Sequence, residues 1–248
     1  MKYEGHFTVG KDIGRVRVTN EDQAFALRNY AGDTLLIVCD GMGGQNKGDY
    51  ASKVAMDHVV EAFQKKRKTP VLLSRSWLRK VLKEANSIIF SEAEKNEMYR
   101  DMGTTAVVVL IQNDKMIIAN IGDSRAYSFD ERGLRRLTED QTYVDYLYRS
   151  GQIEEREKDT SPDRHVLMNA LGIYPSASFD LSIRPYCGEM ILLCSDGLYN
   201  NVSEPESRAI LSTDEQLEQK VRSLIAEANA NGGSDNVAIA LWEAERHD

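Results

Sequence analysis

Five short runs rich in Val, Ile and Leu limit what this chain can fold into. Each run is too short for a typical helix and matches the length and composition of a buried strand. The runs cover residues 34–39, 105–111, 116–121, 190–194 and 237–242. Two of them, 105–111 and 116–121, are separated only by a polar turn at 112–114, which predicts a hairpin.

Helical segments alternate with groups of these strands. Residues 50–66 carry apolar side chains at three- and four-residue spacing, and residues 75–95 and 215–230 are also predicted helices. The first two helices come as a pair and the strands come as neighbours. This order favours an α+β layered fold over a strictly wound βαβ fold.

Composition narrows the class of protein. The 248 residues are 42% hydrophobic and 28% charged, which is ordinary for a globular chain, and we expect one domain over residues 1–245. The formal net charge of -8 argues against a nucleic-acid partner. No apolar run reaches membrane-spanning length, so no membrane contact is expected. Three cysteines without metal-type spacing suit a reducing compartment, which predicts a cytoplasmic location. We expect a monomer.

Acidic residues stand where the apolar runs end. Asp40, Asp123 and Asp196 each close a run beside a glycine, and Asp235 comes just before the last run. Any one Asp-Gly pair could simply form a turn. Asp is disfavoured in strands and costly to bury unpaired, so three such ends, together with Glu21 and Asp22 before the first run, favour a shared role.

Converging carboxylates require positive charge between them. If these strand ends meet, the acids repel one another unless they bind cations. All the candidate ligands are oxygens, with neither Cys nor His at ligand spacing, which predicts Mg²⁺ or Mn²⁺ rather than Zn²⁺. The spacing of an EF-hand calcium loop is absent.

Six motifs, in their order and spacing, resemble the type 2C, or PPM, family of protein phosphatases, and most closely its compact bacterial members. The resemblance covers essentially the whole chain. The motifs are Arg17-Val18-Thr19-Asn20-Glu21-Asp22, Asp40-Gly41-Met42-Gly43-Gly44, Gly103-Thr104-Thr105-Ala106, Asn120-Ile121-Gly122-Asp123-Ser124-Arg125, Ser195-Asp196-Gly197-Leu198 and Ser234-Asp235-Asn236.

The resemblance implies a central antiparallel β-sandwich flanked by helices on both sides, in α-β-β-α layers, with a metal centre at one end. Two core Mn²⁺ or Mg²⁺ ions would be bridged by Asp40, with the Gly41 carbonyl, Asp196 and Asp235 completing the ligands. Asp123 and Asp196 would hold a third, weaker ion, and Asp22, with Glu21 beside it, would orient metal-bound water. Residues 140–172 correspond to the family's flap near the active site.

The implied reaction is hydrolysis of phosphoserine and phosphothreonine in proteins by direct attack of a metal-bridging hydroxide. Arg17 matches the residue that binds the phosphate. The implied partners are phosphorylated proteins, the substrates of a serine/threonine kinase. Gln45 and Gln141 depart from the pattern, since many bacterial members have His in these segments, and the departures bear on substrate contacts and pH behaviour.

Two alternatives compete with this prediction. Ser124, in Gly122-Asp123-Ser124-Arg125-Ala126, loosely resembles the nucleophile of a serine hydrolase, but a strand rather than the required helix is predicted after it. A catalytically inactive phosphoprotein-binding domain would lack a metal ligand, whereas all the acids of the pattern are present here.

Overall fold

A computed structural model describes residues 3–43, 47–158 and 160–245. Its strands form two sheets in which every pairing is antiparallel. The first sheet has the order β1-β11-β10-β7-β8, and the second has the order β2-β3-β5-β6-β9 with the short β4 paired to β3. The strands are β1 Gly5–Asp12, β2 Asp22–Arg28, β3 Thr34–Met42, β4 Gly103–Thr104, β5 Ala106–Gln112, β6 Lys115–Ile121, β7 Arg125–Asp130, β8 Gly133–Arg136, β9 Asp180–Pro185, β10 Met190–Cys194 and β11 Val237–Ala244.

Helices cover the outer face of each sheet. The long pair α1 and α2 packs on the sheet that contains β3, while α5, α6 and α7 pack on the sheet that contains β10 and β11. In the described part of the chain, none of these helices combines the length and apolar composition needed to cross a bilayer. The helices are α1 Lys47–Gln64, α2 Val71–Lys95, α3 Tyr143–Arg149, α4 Glu155–Lys158, α5 Asp196–Tyr199, α6 Glu204–Leu211 and α7 Leu217–Ala230, with one 3-10 turn at Glu97–Tyr99.

Strand β3 shows how the layers are held together. Because side chains alternate along a strand, Leu35 and Ile37 pack against the helical layer, while Leu36 and Val38 pack against the other sheet. All four are fully buried. Burial of each such side chain stabilises the fold by roughly 1.5–3 kcal/mol. The predicted α+β sandwich with helices on both sides is therefore confirmed.

The five apolar runs all form strands, and the three predicted helices are present with shifted ends. Helix α2 begins at Val71, directly after Pro70, four residues before the predicted start at 75. Strands β1, β2, β8 and β9 were not predicted because their outward residues are polar or half-buried. The pattern in these strands is weaker than that of a fully buried strand.

Residues 140–172 leave the sandwich and return to it. They contain the short helices α3 and α4, and isolated bridges join Thr142 to Leu167 and Thr104 to Leu171. Asp159 lies outside the described residues. The segment thus starts beside Gly122, in the turn that carries Asp123, and ends beside β4, whose Thr104 contacts the Asp40 carbonyl.

Candidate metal centre

The predicted acids meet at one cavity at the end of the sandwich. The cavity has a volume of about 1040 Å³. Five acidic side chains that come from different parts of the chain line it, together with one arginine from the N-terminal loop and two basic residues from the 140–172 segment. They are Glu21, Asp40, Asp123, Asp196 and Asp235, with Arg17, Arg164 and His165.

Backbone contacts at the end of β3 position Asp40. Thr105 Oγ1 accepts a hydrogen bond from the Asp40 amide at 2.9 Å, and the Thr105 amide donates to the Asp40 carbonyl at 2.8 Å. Thr104 Oγ1 donates to the same carbonyl at 2.9 Å. The Gly-Thr-Thr-Ala motif therefore fixes the backbone that carries this carboxylate.

A close approach between β3 and α1 requires glycine at position 41. A Cβ atom on Gly41 would lie 2.1 Å from the carbonyl oxygen of Gly48, in the first turn of α1. Any side chain here would push the helix away from the strand end. Gly44 and Gln45 lie outside the described residues.

Gly197 permits a second close backbone approach beside the cavity. A Cβ atom there would lie 1.9 Å from the carbonyl oxygen of Asn236. Because Gly197 has no side chain, the turn that begins with Asp196 packs directly against the segment that carries Asp235. Two acids that are 39 positions apart in sequence thereby line the same cavity.

Asp22 lies beneath the cavity and does not line its wall. It is the cross-strand partner of Asp40, and it is almost fully buried. Its Oδ2 atom has no hydrogen-bond partner among the described residues. This buried oxygen without a partner points toward a charge or water that would satisfy it.

Burial and mutual repulsion raise the pKa values of these carboxyl groups. Loss of solvation is the larger cause and the neighbouring carboxylates add to it; the pKa is about 6 for Asp196, about 7 for Asp22 and about 8 for Asp123. The pKa of Asp40 lies well above its ordinary value for the same two reasons. A cluster that disfavours its own negative charge in this way favours bound cations.

The donor set fits hard divalent ions. All the cavity acids offer oxygen, which suits Mg²⁺ or Mn²⁺, and Asp22 adds an oxygen without a partner. Within residues 3–43, 47–158 and 160–245, no three Asp, Glu, His or Cys side chains form a group tight enough to hold one ion. The acids line a common wall without forming a closed set of ligands.

Arg17 reaches the cavity from the loop between β1 and β2 and forms an ion pair with Asp235. Its Nη2 atom lies 2.6 Å from Asp235 Oδ2, and about half of the Arg17 side chain is exposed. Asn236 anchors this loop, because its side chain donates to the carbonyls of Ile13 and Thr19 and accepts from the Glu21 amide. Sequence reasoning placed Asn236 in a motif but did not identify this contact.

The turn after β6 presents Asp123. The side-chain Oε1 atom of Gln141 accepts a hydrogen bond from the Gly122 backbone amide at 3.2 Å, and the Gln141 backbone amide donates to the Gly122 carbonyl at 3.0 Å. The Gln141 side chain also donates to Asp180 and accepts from Asn169. Gln141 therefore joins the base of the 140–172 segment to the turn that carries Asp123, and it does not line the cavity.

Ser124 is unsuited to act as a nucleophile. Its side chain is fully buried, its Oγ lies 2.7 Å from Thr105 Oγ1, and strand β7 follows it instead of a helix. The cysteines are also unsuited, since Cys39 and Cys194 are buried and the exposed Cys187 does not line the cavity. The serine hydrolase alternative is not supported.

Known proteins match the chain along nearly its whole length. Residues 10–238 match the family model described as Protein phosphatase 2C. The "Serine/threonine phosphatase stp" of Listeria monocytogenes is 36% identical over 245 residues, which is 97% of this chain and 96% of that protein.

Two solved structures share the fold. The serine/threonine phosphatase Stp1 from Staphylococcus aureus aligns with a TM-score of 0.93 and 32% identity, over 99% of this chain and 97% of that one. The catalytic domain of the phosphatase PstP in complex with 2 manganese ions aligns with a TM-score of 0.85 and 29% identity, over 98% and 99% of the two chains. The matched family model, the relative and the common fold agree, and the chain belongs to the protein phosphatase 2C family.

Proposed function

We propose that this chain, a protein serine/threonine phosphatase, hydrolyses phosphoserine and phosphothreonine at the acid-lined cavity described above. Its family membership and its similarity to named serine/threonine phosphatases give the reaction class. The observation that carries the location is the convergence of Asp40, Asp123, Asp196 and Asp235 on one cavity that also receives Arg17.

The site is metal-dependent in this proposal, with two core ions and a third, weaker one. Manganese in the PstP structure supports Mn²⁺ as a cofactor, and the oxygen donors suit Mg²⁺ equally. Asp40, the Gly41 carbonyl, Asp196 and Asp235 would hold the core ions, while Asp123 and Asp196 would hold the third. Divalent ions bound there would lower the pKa of a water to about 7 and would neutralise charge on the phosphate.

The protein's own groups hold and orient the reactants. Asp22, buried behind its cross-strand partner Asp40, would accept a hydrogen bond from the attacking water through Oδ2, which has no partner among the described residues. Arg17 offers a planar fork of donors that matches two phosphate oxygens. To bind the phosphate, Arg17 must give up its ion pair with Asp235. This exchange is favoured once Asp235 binds a cation instead.

His165 is a poor candidate for the acid that protonates the departing serine oxygen. Its Nδ1 lies 3.8 Å from Asp196 Oδ2 at the cavity wall. Burial and then the nearby Arg164 lower the pKa of His165 below its ordinary value. The protonated imidazole, which is the form that could donate, is therefore less populated at neutral pH than in an unperturbed histidine.

The biological setting follows from the reaction. Residues 1–245 act as one phosphatase domain, as a monomer, and the 140–172 segment with Arg164 and His165 forms one side of the substrate entrance. The substrates are phosphoproteins made by a serine/threonine kinase. Three free cysteines support a reducing, cytoplasmic location.

Hydrolysis of a phosphothreonine peptide, with and without metal, tests the proposal. We expect phosphate release with added Mn²⁺ or Mg²⁺, and its loss in EDTA, because every proposed ligand is an oxygen. Recovery after Mn²⁺ is restored in excess controls for irreversible damage. Full activity in EDTA would refute the metal-dependent mechanism.

A further inference from the structure

Tyr199 lies between the metal cavity and a second cavity behind it. It is the last residue of α5, the single turn that begins with Asp196. Its ring contributes to the wall of the main cavity and to that of a cavity of about 250 Å³ between β7, β10 and α6. The Tyr199 side chain thus lies between the two cavities, and the same helical turn carries both Tyr199 and Asp196.

The hydroxyl group of Tyr199 contacts the turn that carries Asp123, which is the second proposed ligand of the third ion beside Asp196. Tyr199 Oη donates a hydrogen bond to the carbonyl oxygen of Asp123 at 3.2 Å. The contact spans 76 positions of sequence. It joins the backbone of Asp123 to the turn of Asp196 across the cavity wall.

A charged cluster on the far side holds the Tyr199 ring. The Arg125 guanidinium carbon lies 3.4 Å from the ring centroid. Arg125 is fixed in turn by Asp140, with Nη2 to Oδ2 at 2.7 Å, and it donates to Tyr127 Oη at 3.3 Å. Asp140 is nearly buried and also pairs with Arg136. A cation over an aromatic face is attractive, so this cluster restricts the ring to one orientation.

We propose that Tyr199 is a positioning residue, which holds the Asp123 turn at the separation from Asp196 that the third ion needs. This inference rests on the proposed function, because it takes Asp123 and Asp196 as ligands of that ion. It adds that the affinity of this site is set partly by a hydrogen bond from a residue that is not itself a ligand.

Direct Mn²⁺ binding by calorimetry, with manganese electron paramagnetic resonance to count bound ions, tests the inference. Tyr199→Phe keeps the ring and removes only the hydroxyl group. Tyr127→Phe is the matched control, because it removes a tyrosine hydroxyl group that accepts a hydrogen bond from Arg125 and that has no hydrogen bond to Asp123 among the described residues. Asp123→Ala reports whether the weak site uses Asp123 at all.

We expect Tyr199→Phe to weaken the weakest class of Mn²⁺ sites by about three- to tenfold, the effect of losing one hydrogen bond. The tight sites should be unchanged, and Tyr127→Phe should match the wild type. Asp123→Ala should abolish the weak class, and adding Tyr199→Phe to Asp123→Ala should change nothing further.

Three outcomes would overturn the inference, and they separate its possible failures. Loss of the weak class in Asp123→Ala with unchanged affinity in Tyr199→Phe would overturn the positioning role and leave the proposed site intact. Retention of the weak class in Asp123→Ala would refute the proposed role of Asp123, and this inference with it. Equal weakening of tight and weak sites in Tyr199→Phe would show a general structural effect and also overturn the positioning role.

Discussion

Arg17 and Asp235 form an ion pair across the cavity, 218 positions apart in sequence. Each has a different partner in the proposed reaction, since Arg17 binds phosphate and Asp235 binds a cation. The side chains are partly exposed, so the pair itself adds little to stability. Its breakage therefore costs little when substrate and metal arrive.

Arg17→Ala tests the role of this residue. Loss of a charge-assisted contact worth about 1.5–3 kcal/mol should raise KM and the inhibition constant of inorganic phosphate by roughly 10- to 100-fold. The affinity of the tight Mn²⁺ sites should not fall. Arg15→Ala is the matched control, since Arg15 is on the same loop and bonds to the Asn229 carbonyl outside the cavity. Unchanged phosphate affinity in Arg17→Ala would contradict the assignment.

The residues of the site were predictable to different degrees. Asp40, Asp123 and Asp196 stood out because an acid at the end of an apolar strand is unfavourable without a function. The depth of Asp22 and the contacts of Tyr199 and Asn236 could not be predicted, because they depend on side chains that meet only after the two sheets have packed. The sequence marked Gln141 as a departure from the family pattern, and the hydrogen bonds by which it anchors the Asp123 turn could not be predicted from it.

At the scale of elements, the proposed metal centre lies where α5 and the segment before β11 touch. Gly197 permits this contact, and Gly41 permits the matching contact between β3 and α1. Apolar strands such as β5 and β10 were predictable from composition alone, while the contacts between element ends were not. Two close backbone approaches thus bring acids from separate elements to one cavity.

Gly197→Ala should disrupt the site through the backbone. The added methyl group would lie 1.9 Å from the Asn236 carbonyl oxygen, so α5 or the start of β11 must move. We expect at least about a tenfold loss of kcat/KM at limiting Mn²⁺, because a displacement of about 1 Å can cost 10²-fold in rate. Partial recovery at high Mn²⁺ should accompany it. Wild-type kinetics at limiting Mn²⁺ would show that this close packing is not required.

At the scale of the whole molecule, the acid cluster makes the free energy of unfolding depend on pH and on bound metal. The unfolded chain has Asp pKa values near 3.9, whereas the folded values are about 6 for Asp196, about 7 for Asp22 and about 8 for Asp123. The folded protein therefore binds more protons than the unfolded chain between about pH 4 and 8. Linkage then requires the cluster's contribution to the free energy of unfolding to fall as pH rises through this window.

Thermal unfolding in EDTA from pH 5 to 8.5 tests this linkage. We expect Asp123→Asn to lose less stability with rising pH than the wild type, because one titrating group is removed. Asp57→Asn is the control, since Asp57 lies on α1 and pairs with Lys53, away from the cavity. Excess Mn²⁺ should restore stability at high pH. An identical pH dependence in Asp123→Asn and the wild type would contradict the elevated pKa.

In the proposed mechanism, the carboxylates at this end of the sandwich hold the ions that perform the hydrolysis. The most direct test measures kcat on a phosphothreonine peptide and the number of tightly bound Mn²⁺ ions in Asp40→Asn, beside Asp57→Asn. The proposed mechanism predicts a fall in kcat of at least about 10²-fold with fewer tightly bound ions in Asp40→Asn, and neither change in Asp57→Asn. Turnover and metal binding near the wild-type level in Asp40→Asn would contradict it.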